Sequence, residues 1–450
     1  MKNLTLKNIA AACGGRLIGA QGRETREISF VTTDSRQAGQ DCLFAAIAGT
    51  RVDGHDYIPE VLEKGALCVL AERLPEGCEG PAVLAESVPT ALQGLAEFYR
   101  SGFEIPVVGV TGSVGKTTAK EMLYAVLSEK YCVHKTAGNF NNELGVPLTL
   151  FGLREEHTAA VVEMGISDFG EMTRLTRMVR PDIALFTIIG HSHLETLGSR
   201  EGVLRAKSEI LQCVPEHGTV LYNGDDDLLP RLDCGARRAV TFGLGESCAV
   251  RAENVRTLEN GFTECEIVSG PRRVTARIPA YGNHMVYAAL AAAAVGMELG
   301  LTDAEIERGI ANFEGVGHRS RLLRTGKLTV VDDCYNANPT STASAIRSLA
   351  GLPGRKVCIL GDMLDMGEQS ESLHRGIGAL CCEQGVELVL TSGEMMRFAA
   401  AEAGEAARHF ESREELIAAL PELIRPGDAV LVKASHSMRF DEVCRALEQM

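Results

Sequence analysis

The chain alternates short apolar runs with intervals long enough for a helix, and the character of these runs changes along its length. At first the runs are brief and are flanked by Gly, Asp or Pro, which is typical of strands that end in tight turns. This pattern predicts a small α/β domain over 1–103. Its predicted strands are 28–31, 42–47 and 67–71.

From residue 104 the pattern predicts fully buried strands separated by helices, as in a mostly parallel sheet. We expect a central domain over 104–317 and, after Gly315 and Gly317, a Rossmann-like domain over 318–450. The predicted fold class is therefore α/β with three domains. The predicted strands are 105–110, 159–162, 183–189, 219–222, 328–331, 357–360, 386–390 and 429–432, and the predicted helices include 116–130 and 284–299.

The composition indicates a folded protein with a small partner. A chain of 450 residues is long enough for about three domains. Its 45% apolar and 23% charged residues exclude a disordered chain. A net charge of −15 without a run of Lys and Arg argues against nucleic acid and anionic membranes as partners.

Cysteine spacing and hydropathy indicate that the protein is located in the cytoplasm. The 14 cysteines are scattered without a CxxC pair, which predicts neither a zinc site nor a disulfide framework. The longest apolar run, 285–297, is too short to span a bilayer, and the N-terminus lacks a secretory leader. We expect a cytoplasmic monomer with reduced thiols and no membrane span.

The most specific motif is a Gly-rich turn between a predicted strand and a predicted helix, spelled Gly109-Val-Thr-Gly-Ser-Val-Gly-Lys-Thr-Thr. A P-loop belongs in this place, because backbone N–H groups and a helix N-terminus there surround phosphate oxygens. Lys116 would bridge the β and γ phosphates of ATP, and the Thr117 hydroxyl would bind Mg²⁺. The strict motif needs glycine at Val110, so a turn with a solvated lysine is the alternative. The predicted phosphate-binding residues are Gly112, Ser113, Val114, Gly115, Lys116, Thr117 and Thr118.

Candidate metal ligands follow two predicted central strands. One strand ends in Glu163, where a simple Walker B motif would carry Asp, and the Asn-Lys-x-Asp motif of Ras-like GTPases is absent. His193 follows the next strand at the same sheet edge, close to where ligands bind in such folds. Mg²⁺ prefers oxygen, so a histidine is the weaker candidate, and His191 is more simply a hydrogen-bonding loop residue. From spacing alone, Lys207 is an ordinary solvated lysine on a helix.

Nearly the whole chain resembles the ATP-dependent Mur ligases. The resemblance includes the P-loop, the Glu163 strand end, and the runs His193-Leu-Glu-Thr-Leu-Gly-Ser, Ala206-Lys-Ser-Glu-Ile and Gly317-His-Arg. Further runs are similar to the members that add D-alanyl-D-alanine, and the Asp-Asn-Pro-Arg motif of the members that add diaminopimelate or lysine is absent. These runs are Val331-Asp-Asp-Cys-Tyr-Asn-Ala-Asn-Pro-Thr and Leu360-Gly-Asp-Met-Leu-Asp-Met-Gly-Glu, whereas the run Gly138-Asn-Phe-Asn-Asn-Glu-Leu-Gly-Val-Pro is similar to the family as a whole.

The resemblance implies an N-terminal domain for the UDP-sugar, a central ATPase and a C-terminal domain for the incoming dipeptide. It also implies that Lys207 reacts with CO₂ to form a carbamate, an anionic oxygen donor that helps to hold a second Mg²⁺. The implied catalytic residues are Lys116, His193, Lys207 and Arg319; the metal ligands are Thr117, Glu163, His193 and Lys207; the further ATP contacts are His284, Arg319 and Asp333; and the substrate contacts are Ser35, Arg36, Asn139, Asn142, Asn336 and Asn338.

Two segments depart from the family pattern. Met285 and Ala288 replace the two Asn residues of a His-Asn-x-x-Asn motif, so the adenine contacts would pass to Asn283 or His284. Near the C-terminus, His436 stands in place of Arg in a Lys-(Gly/Ala)-Ser-Arg segment, which would alter how a carboxylate is held.

The implied reaction is amide synthesis. The γ-phosphoryl group of ATP passes to the terminal carboxylate of UDP-N-acetylmuramoyl-tripeptide, and the amine of D-alanyl-D-alanine then attacks the acyl phosphate and releases phosphate. Two alternatives stay open: a ligase that adds a single amino acid to a muramoyl or folate acceptor, and a P-loop regulatory ATPase that forms no covalent product. Only the regulatory ATPase should hydrolyse ATP without an acceptor.

Overall fold

The computed structural model describes residues 1–258, 261–315 and 317–450, and it contains separate sheets of five, nine and six strands. Each sheet lies within one of the three predicted domain ranges. Helices alternate with the strands in all of them, so the predicted α/β class is confirmed. The domain boundaries at 103/104 and 317/318 stay predictions.

The N-terminal sheet is small. Its strands are β1 Arg16–Ile18, β2 Val31–Thr32, β3 Leu43–Ala45, β4 Cys68–Ala71 and β5 Ala82–Leu84, and its helices are α1 Leu6–Ala12, α2 Ile58–Glu63 and α3 Val88–Arg100. The strand order is β1-β5-β4-β3-β2, and only β1 is antiparallel to its neighbour.

The predicted strand 28–31 is wrong over most of its length, because only Val31 of this range lies in β2. The backbone of Ile28 binds the start of the chain instead. Its N–H donates to the Leu4 carbonyl at 3.1 Å, and its carbonyl accepts from the Met1 amino group at 2.6 Å. Ile28 is therefore buried without joining the sheet.

The central sheet carries the predicted P-loop. Its strands are β6 Val107–Thr111, β7 Val133–Lys135, β8 Ala159–Glu163, β9 Ile183–Phe186, β10 Thr219–Asn223, β11 Arg238–Gly243, β12 Val250–Thr257, β13 Thr263–Ser269 and β14 Arg272–Ile278. Its helices are α4 Lys116–Leu127, α5 Gly145–Leu150, α6 Glu171–Val179, α7 Leu194–Leu197, α8 Arg200–Ser208, α9 Asn283–Glu298 and α10 Asp303–Ala311. The order is β14-β13-β12-β11-β10-β9-β6-β8-β7, and the part from β12 to β7 is parallel, as predicted.

The sequence patterns did not indicate that β12, β13 and β14 extend this sheet in antiparallel pairing. In β14, Arg273 and Arg277 are exposed, whereas Val274 and Ala276 are buried. A strand with one face in water alternates and has no continuous apolar run. Continuous apolar runs therefore do not predict β14.

The C-terminal sheet agrees with all four of its predicted strands to within two residues. The strands are β15 Arg321–Arg324, β16 Thr329–Asp332, β17 Lys356–Gly361, β18 Leu388–Ser392, β19 Ala407–Phe410 and β20 Ala429–Lys433, and the helices are α11 Pro339–Ala350, α12 Ser370–Glu383, α13 Met396–Ala403, α14 Arg413–Leu423 and α15 Asp441–Glu448. The order is β15-β16-β20-β17-β18-β19, with only β15 antiparallel.

The domains differ in how they share apolar cores. One cluster of buried residues runs continuously through the N-terminal and central domains, whereas the C-terminal sheet buries two further clusters, one of which also includes Tyr281 of the central domain. Polar side chains of α3 also bind the central domain: the Tyr99 hydroxyl donates to the Leu153 carbonyl at 2.8 Å, and Arg100 donates to the Val179 carbonyl at 3.0 Å. Across the described ranges, every helix is too short or too polar to cross a membrane.

Candidate active site

The Gly-rich loop lies between β6 and α4, as predicted. Gly112 has a φ of +145°, and a Cβ there would come within 2.0 Å of the Thr187 hydroxyl oxygen, so only glycine fits. Gly115 caps α4 in the left-handed conformation, with a φ of 84°. The loop therefore turns tightly at a helix N-terminus, where partial positive charge favours a phosphate.

The loop is fastened to the segment after β9. The Thr187 hydroxyl donates to the Val114 carbonyl at 2.6 Å, and the Ser113 N–H donates to the Ile188 carbonyl at 2.7 Å. Lys116 reaches back over the loop and donates to the Gly112 carbonyl at 2.7 Å. The Ser113 N–H is thus already bonded, and the Ser113 hydroxyl also donates to the Gly190 carbonyl at 3.2 Å, so the phosphate-binding role of this residue stays a prediction.

Glu163, at the end of β8, lies beside the start of α4. Its Oε1 accepts hydrogen bonds from the Thr117 hydroxyl at 3.2 Å and from Asn141 Nδ2 at 2.7 Å. Among the described residues its Oε2 has no hydrogen-bond partner although it is buried, and the nearest cation is Lys120, with Nζ 3.7 Å away. A buried carboxylate oxygen left open beside a hydroxyl suits a hard cation such as Mg²⁺.

Asn141 and Lys120 were missed by the sequence analysis, although both contact Glu163. Lys120 is fully buried one turn after Lys116 and also pairs with Glu121 at 3.1 Å. Its place on the inner face of α4 was the only available signal, since helix residues three to four apart share a face.

Lys207 is buried in α8, with 1% of its surface exposed, so the solvated lysine expected from spacing alone is wrong. Burial places the pKa of Lys207 well below its usual value, the Lys116 charge lowers it further, and Glu171 opposes both. Nearby, burial and then Lys207 and Lys116 lower the pKa of His193, while Asp365 and Glu171 raise it. Two lysines and a histidine thus lie close enough to repel one another.

Residues of the C-terminal domain lie on the opposite side of the site from the P-loop. The Arg319 guanidinium lies 3.8 Å over the Tyr335 ring, and its buried Nε has no hydrogen-bond partner among the described residues. Asp333 is held by Lys433, with Nζ 2.6 Å from Oδ2, and accepts from the Ser320 N–H at 2.9 Å. The sequence patterns assigned no role to Lys433 or Tyr335. Tyr335 holds Arg319 and Lys433 holds Asp333, the two predicted ATP contacts.

His284 lies where the adenine contacts were expected to be altered. Both of its ring nitrogens are buried and without a hydrogen-bond partner in the part of the chain described. Burial lowers the pKa of His284, Asp333 raises it and Lys433 lowers it. A neutral imidazole with two open nitrogens is suited to contact a nucleoside.

A cavity of about 550 Å³ joins these groups between the central and C-terminal domains. The two walls also touch, because the His191 N–H donates to the Thr340 hydroxyl at 3.3 Å and a Cβ at Gly190 would come within 2.5 Å of that oxygen. Lys207 and Gly112 are not part of the cavity wall. The predicted residues that line it are Ser113, Val114, Gly115, Lys116, Thr117, Thr118, Asn139, Asn142, Glu163, His193, His284, Arg319, Asp333, Asn336 and Asn338.

The four asparagines predicted to contact substrate differ in their hydrogen bonds to neighbouring backbone groups. Asn338 accepts from the Ser341 N–H at 2.9 Å and caps α11, whereas Asn142 accepts from the Gly145 N–H at 2.9 Å and lies in the turn before α5. Asn139 and Asn336 are exposed at the cavity. Asn142 is exposed there as well, so Asn139, Asn142 and Asn336 all present side chains at the cavity surface.

Ser35 and Arg36 lie apart from the cavity, in the N-terminal domain. Arg36 is 87% exposed and binds Asp34 through Nε at 2.9 Å and Nη2 at 2.8 Å. The Ser35 carbonyl accepts from Lys64 at 3.0 Å. This turn satisfies its own polar groups.

Comparisons with known proteins cover the whole chain. Three family models match: the Mur ligase family catalytic domain over 27–100, the Mur ligase middle domain over 110–296 and the Mur ligase, glutamate ligase domain over 318–436. The chain is 38% identical to the UDP-N-acetylmuramoyl-tripeptide--D-alanyl-D-alanine ligase of Bacillus subtilis, with 98% of each chain covered. The fold is similar to a crystal structure of MurF from Acinetobacter baumannii (TM-score 0.93, 29% identity, 99% of each chain) and to MurF of Thermotoga maritima in complex with ADP (TM-score 0.85, 29% identity, 93% of this chain and 97% of that one).

Proposed function

Because the chain belongs to the Mur ligase family, we propose that it joins D-alanyl-D-alanine to UDP-N-acetylmuramoyl-tripeptide at the expense of ATP, in peptidoglycan synthesis. The observation that carries this function is the full-length match to a ligase of that name. The predicted family and enzyme class are thereby confirmed. The ADP complex of the Thermotoga maritima relative supports ATP as the nucleotide.

The chain's own groups would bind and orient the triphosphate. Loop N–H groups and Lys116 surround its end, and Arg319 faces the same cavity from the other domain. The Arg319 guanidinium stacks on the Tyr335 ring, and this contact holds it in place before the nucleotide binds. Fixed positive groups that stabilise the charge on a transferring phosphoryl group are the main contribution that proteins make to such reactions.

We assign a Mg²⁺ site to Thr117 and Glu163. The open Oε2 of Glu163 and the neighbouring hydroxyl fit an oxygen-seeking cation. Asn141 orients the carboxylate by binding its other oxygen. When bound, such an ion supplies charge neutralisation at the β and γ phosphates.

We further propose that Lys207 carries a carbamate. Burial lowers the pKa of Lys207 and so favours the neutral amine, the form that attacks CO₂. The Nζ–C bond forms, the amine releases a proton, and the side chain becomes an anion. The negative carbamate would then attract the Lys116 charge instead of repelling it. The carbamate oxygens and the His193 imidazole would together be donors for a second Mg²⁺.

The substrates are assigned by the position of the remaining groups. Exposed Asn336 at the C-terminal wall suits the incoming dipeptide, and exposed Asn139 suits the tripeptide end of the other substrate. The free guanidinium face of Arg36 suits the UDP group. We also propose that the protein is a monomer and acts in the cytoplasm.

The test is phosphate release by the purified protein with Mg-ATP and UDP-N-acetylmuramoyl-tripeptide. D-alanyl-D-alanine is compared with diaminopimelate, lysine and no amine. Release only with the dipeptide is expected. Release with a single amino acid would indicate another ligase of the superfamily, and release without any amine would indicate a regulatory ATPase.

A further inference from the structure

A second cluster of metal-ligating side chains lies beside the nucleotide cavity. Ligand atoms of His318, Asp332 and Cys334 all lie within 4.8 Å of one another. The closest pairs are His318 Nδ1 to Asp332 Oδ2 at 2.8 Å and Cys334 Sγ to Asp332 Oδ1 at 3.1 Å. None of these side chains was assigned a role in the ligase reaction.

A fourth side chain completes the cluster. Cys444 Sγ, from α15, lies 3.9 Å from Cys334 Sγ, and both thiols are free. Cys444 thus adds a second sulfur, through its contact with Cys334, to the group of His318, Asp332 and Cys334.

The spacing suits a tetrahedral zinc ion. Two thiolates at about 2.3 Å from Zn²⁺ lie about 3.8 Å apart in tetrahedral geometry, and the observed separation of the sulfurs is 3.9 Å. The imidazole and carboxylate, now at hydrogen-bonding distance, would separate by a few tenths of an ångström. The side chain of His318 is 48% exposed, which leaves a path for an ion from solvent.

The backbone holds this arrangement in an uncommon conformation. His318 and Ser320 both have left-handed φ values, of 57° and 51°. Non-glycine residues rarely adopt this region, and they keep it where surrounding contacts determine the backbone. The conformation brings His318 to Asp332 and places Arg319, between the two strained residues, at the nucleotide cavity.

We propose that His318, Asp332, Cys334 and Cys444 bind one Zn²⁺ ion, which ties the Arg319 loop and the end of β16 to α15. The site is separate from the Mg²⁺ site, because sulfur and nitrogen ligands select a softer cation than the oxygen ligands around Glu163 do. Sequence spacing does not indicate this site, because its ligands come from a loop, the end of β16 and α15, and α15 begins more than a hundred residues after β16.

The test uses the full chain, kept reduced, stripped with a chelator and loaded with Zn²⁺ or with Co²⁺ as a spectroscopic probe. One Zn²⁺ per chain should stay bound after dialysis, and Co²⁺ should give thiolate-to-cobalt charge-transfer absorption. Both signals should disappear in Cys334→Ser and Cys444→Ser. In His318→Ala, a change at a half-exposed position, the affinity for Zn²⁺ should fall.

The matched control is Cys358→Ser. Cys358 interacts with Cys381 as a second buried thiol pair in the same domain, within an apolar cluster. This variant should retain Zn²⁺ and the charge-transfer absorption. Absence of thiolate absorption in the wild type, equal Zn²⁺ affinity in Cys334→Ser, or a Cys334–Cys444 disulfide in place of bound metal would overturn the proposal.

Discussion

The N-terminal domain and the nucleotide cavity both contain residues that the family resemblance assigns to substrate binding, yet the polar side chains of the two regions differ in how they are hydrogen-bonded. In the N-terminal domain, Asp34 binds Arg36 in one turn, and Asp53 binds both His55 and Arg73 in another. In the cavity, Glu163 Oε2, Arg319 Nε and both ring nitrogens of His284 are buried without hydrogen-bond partners among the described residues.

Burying a polar atom without a partner costs about 1–3 kcal/mol, so natural proteins rarely do it without a functional reason. The presence or absence of a hydrogen-bond partner within the protein therefore distinguishes polar groups that stabilise a turn from polar groups available to bind a ligand. A motif alone does not make this distinction, because Asp, Ser and Gly are also the residues that turns require.

The largest effect is expected at Lys207. Lys207→Ala should lower kcat by about 100- to 1,000-fold, because it removes a group that stabilises transition-state charge. Added short carboxylic acids should restore part of the activity if a carbamate is the functional form, and depletion of CO₂ should slow the wild type. Steady-state phosphate release measures both.

The control is Arg205→Ala, at an exposed position of the same helix. It should leave kcat unchanged. Full activity in Lys207→Arg would contradict the carbamate and would place Lys207 with the structural lysines.

Glu163→Gln should have the next largest effect. It keeps the shape and removes the charge at the open oxygen, so the gain in ATP affinity on adding Mg²⁺ should shrink by about 10- to 100-fold, as for altered metal sites in general. Nucleotide binding with and without Mg²⁺ measures this. Glu121→Gln, which changes the other carboxylate beside Lys120, should behave like the wild type.

Arg36→Ala tests whether the self-satisfied turn also binds substrate. A charge-assisted contact to the UDP group predicts a KM for UDP-N-acetylmuramoyl-tripeptide about tenfold higher, with kcat unchanged, because such binding is equal in ground and transition states. An unaltered KM would leave the turn with a structural role only.

Asp53→Asn should affect stability rather than turnover. Hydrogen bonds from the His55 N–H and ring, with Arg73, lower the pKa of Asp53 to about 2. A carboxyl with a lowered folded-state pKa adds stability above its unfolded pKa of about 3.9, and this is lost as the pH falls through the folded value. The variant should lack this part of the decline in unfolding temperature between about pH 4 and pH 2, while kcat at neutral pH stays unchanged.

Sequence reasoning located the P-loop because its motif and its setting, β6 before and α4 after, are local. It also located Glu163, since strand ends in a parallel sheet meet at one edge. It did not find Asn141 or Lys433, because each acts through a partner distant along the chain. The burial of Lys207 likewise depends on packing that spacing on one helix does not encode.

The separate core of the C-terminal domain has a consequence for the conformational equilibrium of the enzyme. Most of its two apolar clusters would stay buried if the domain moved away from the P-loop, so the contacts that must break are few, among them His191 to Thr340 and the Tyr281 hydroxyl to the Ser348 carbonyl. ATP, which would touch both walls, shifts the populations of open and closed forms only by its difference in affinity for them. Loss of the γ-phosphate removes part of that difference, so the same reaction that forms the amide bond also favours reopening of the cavity.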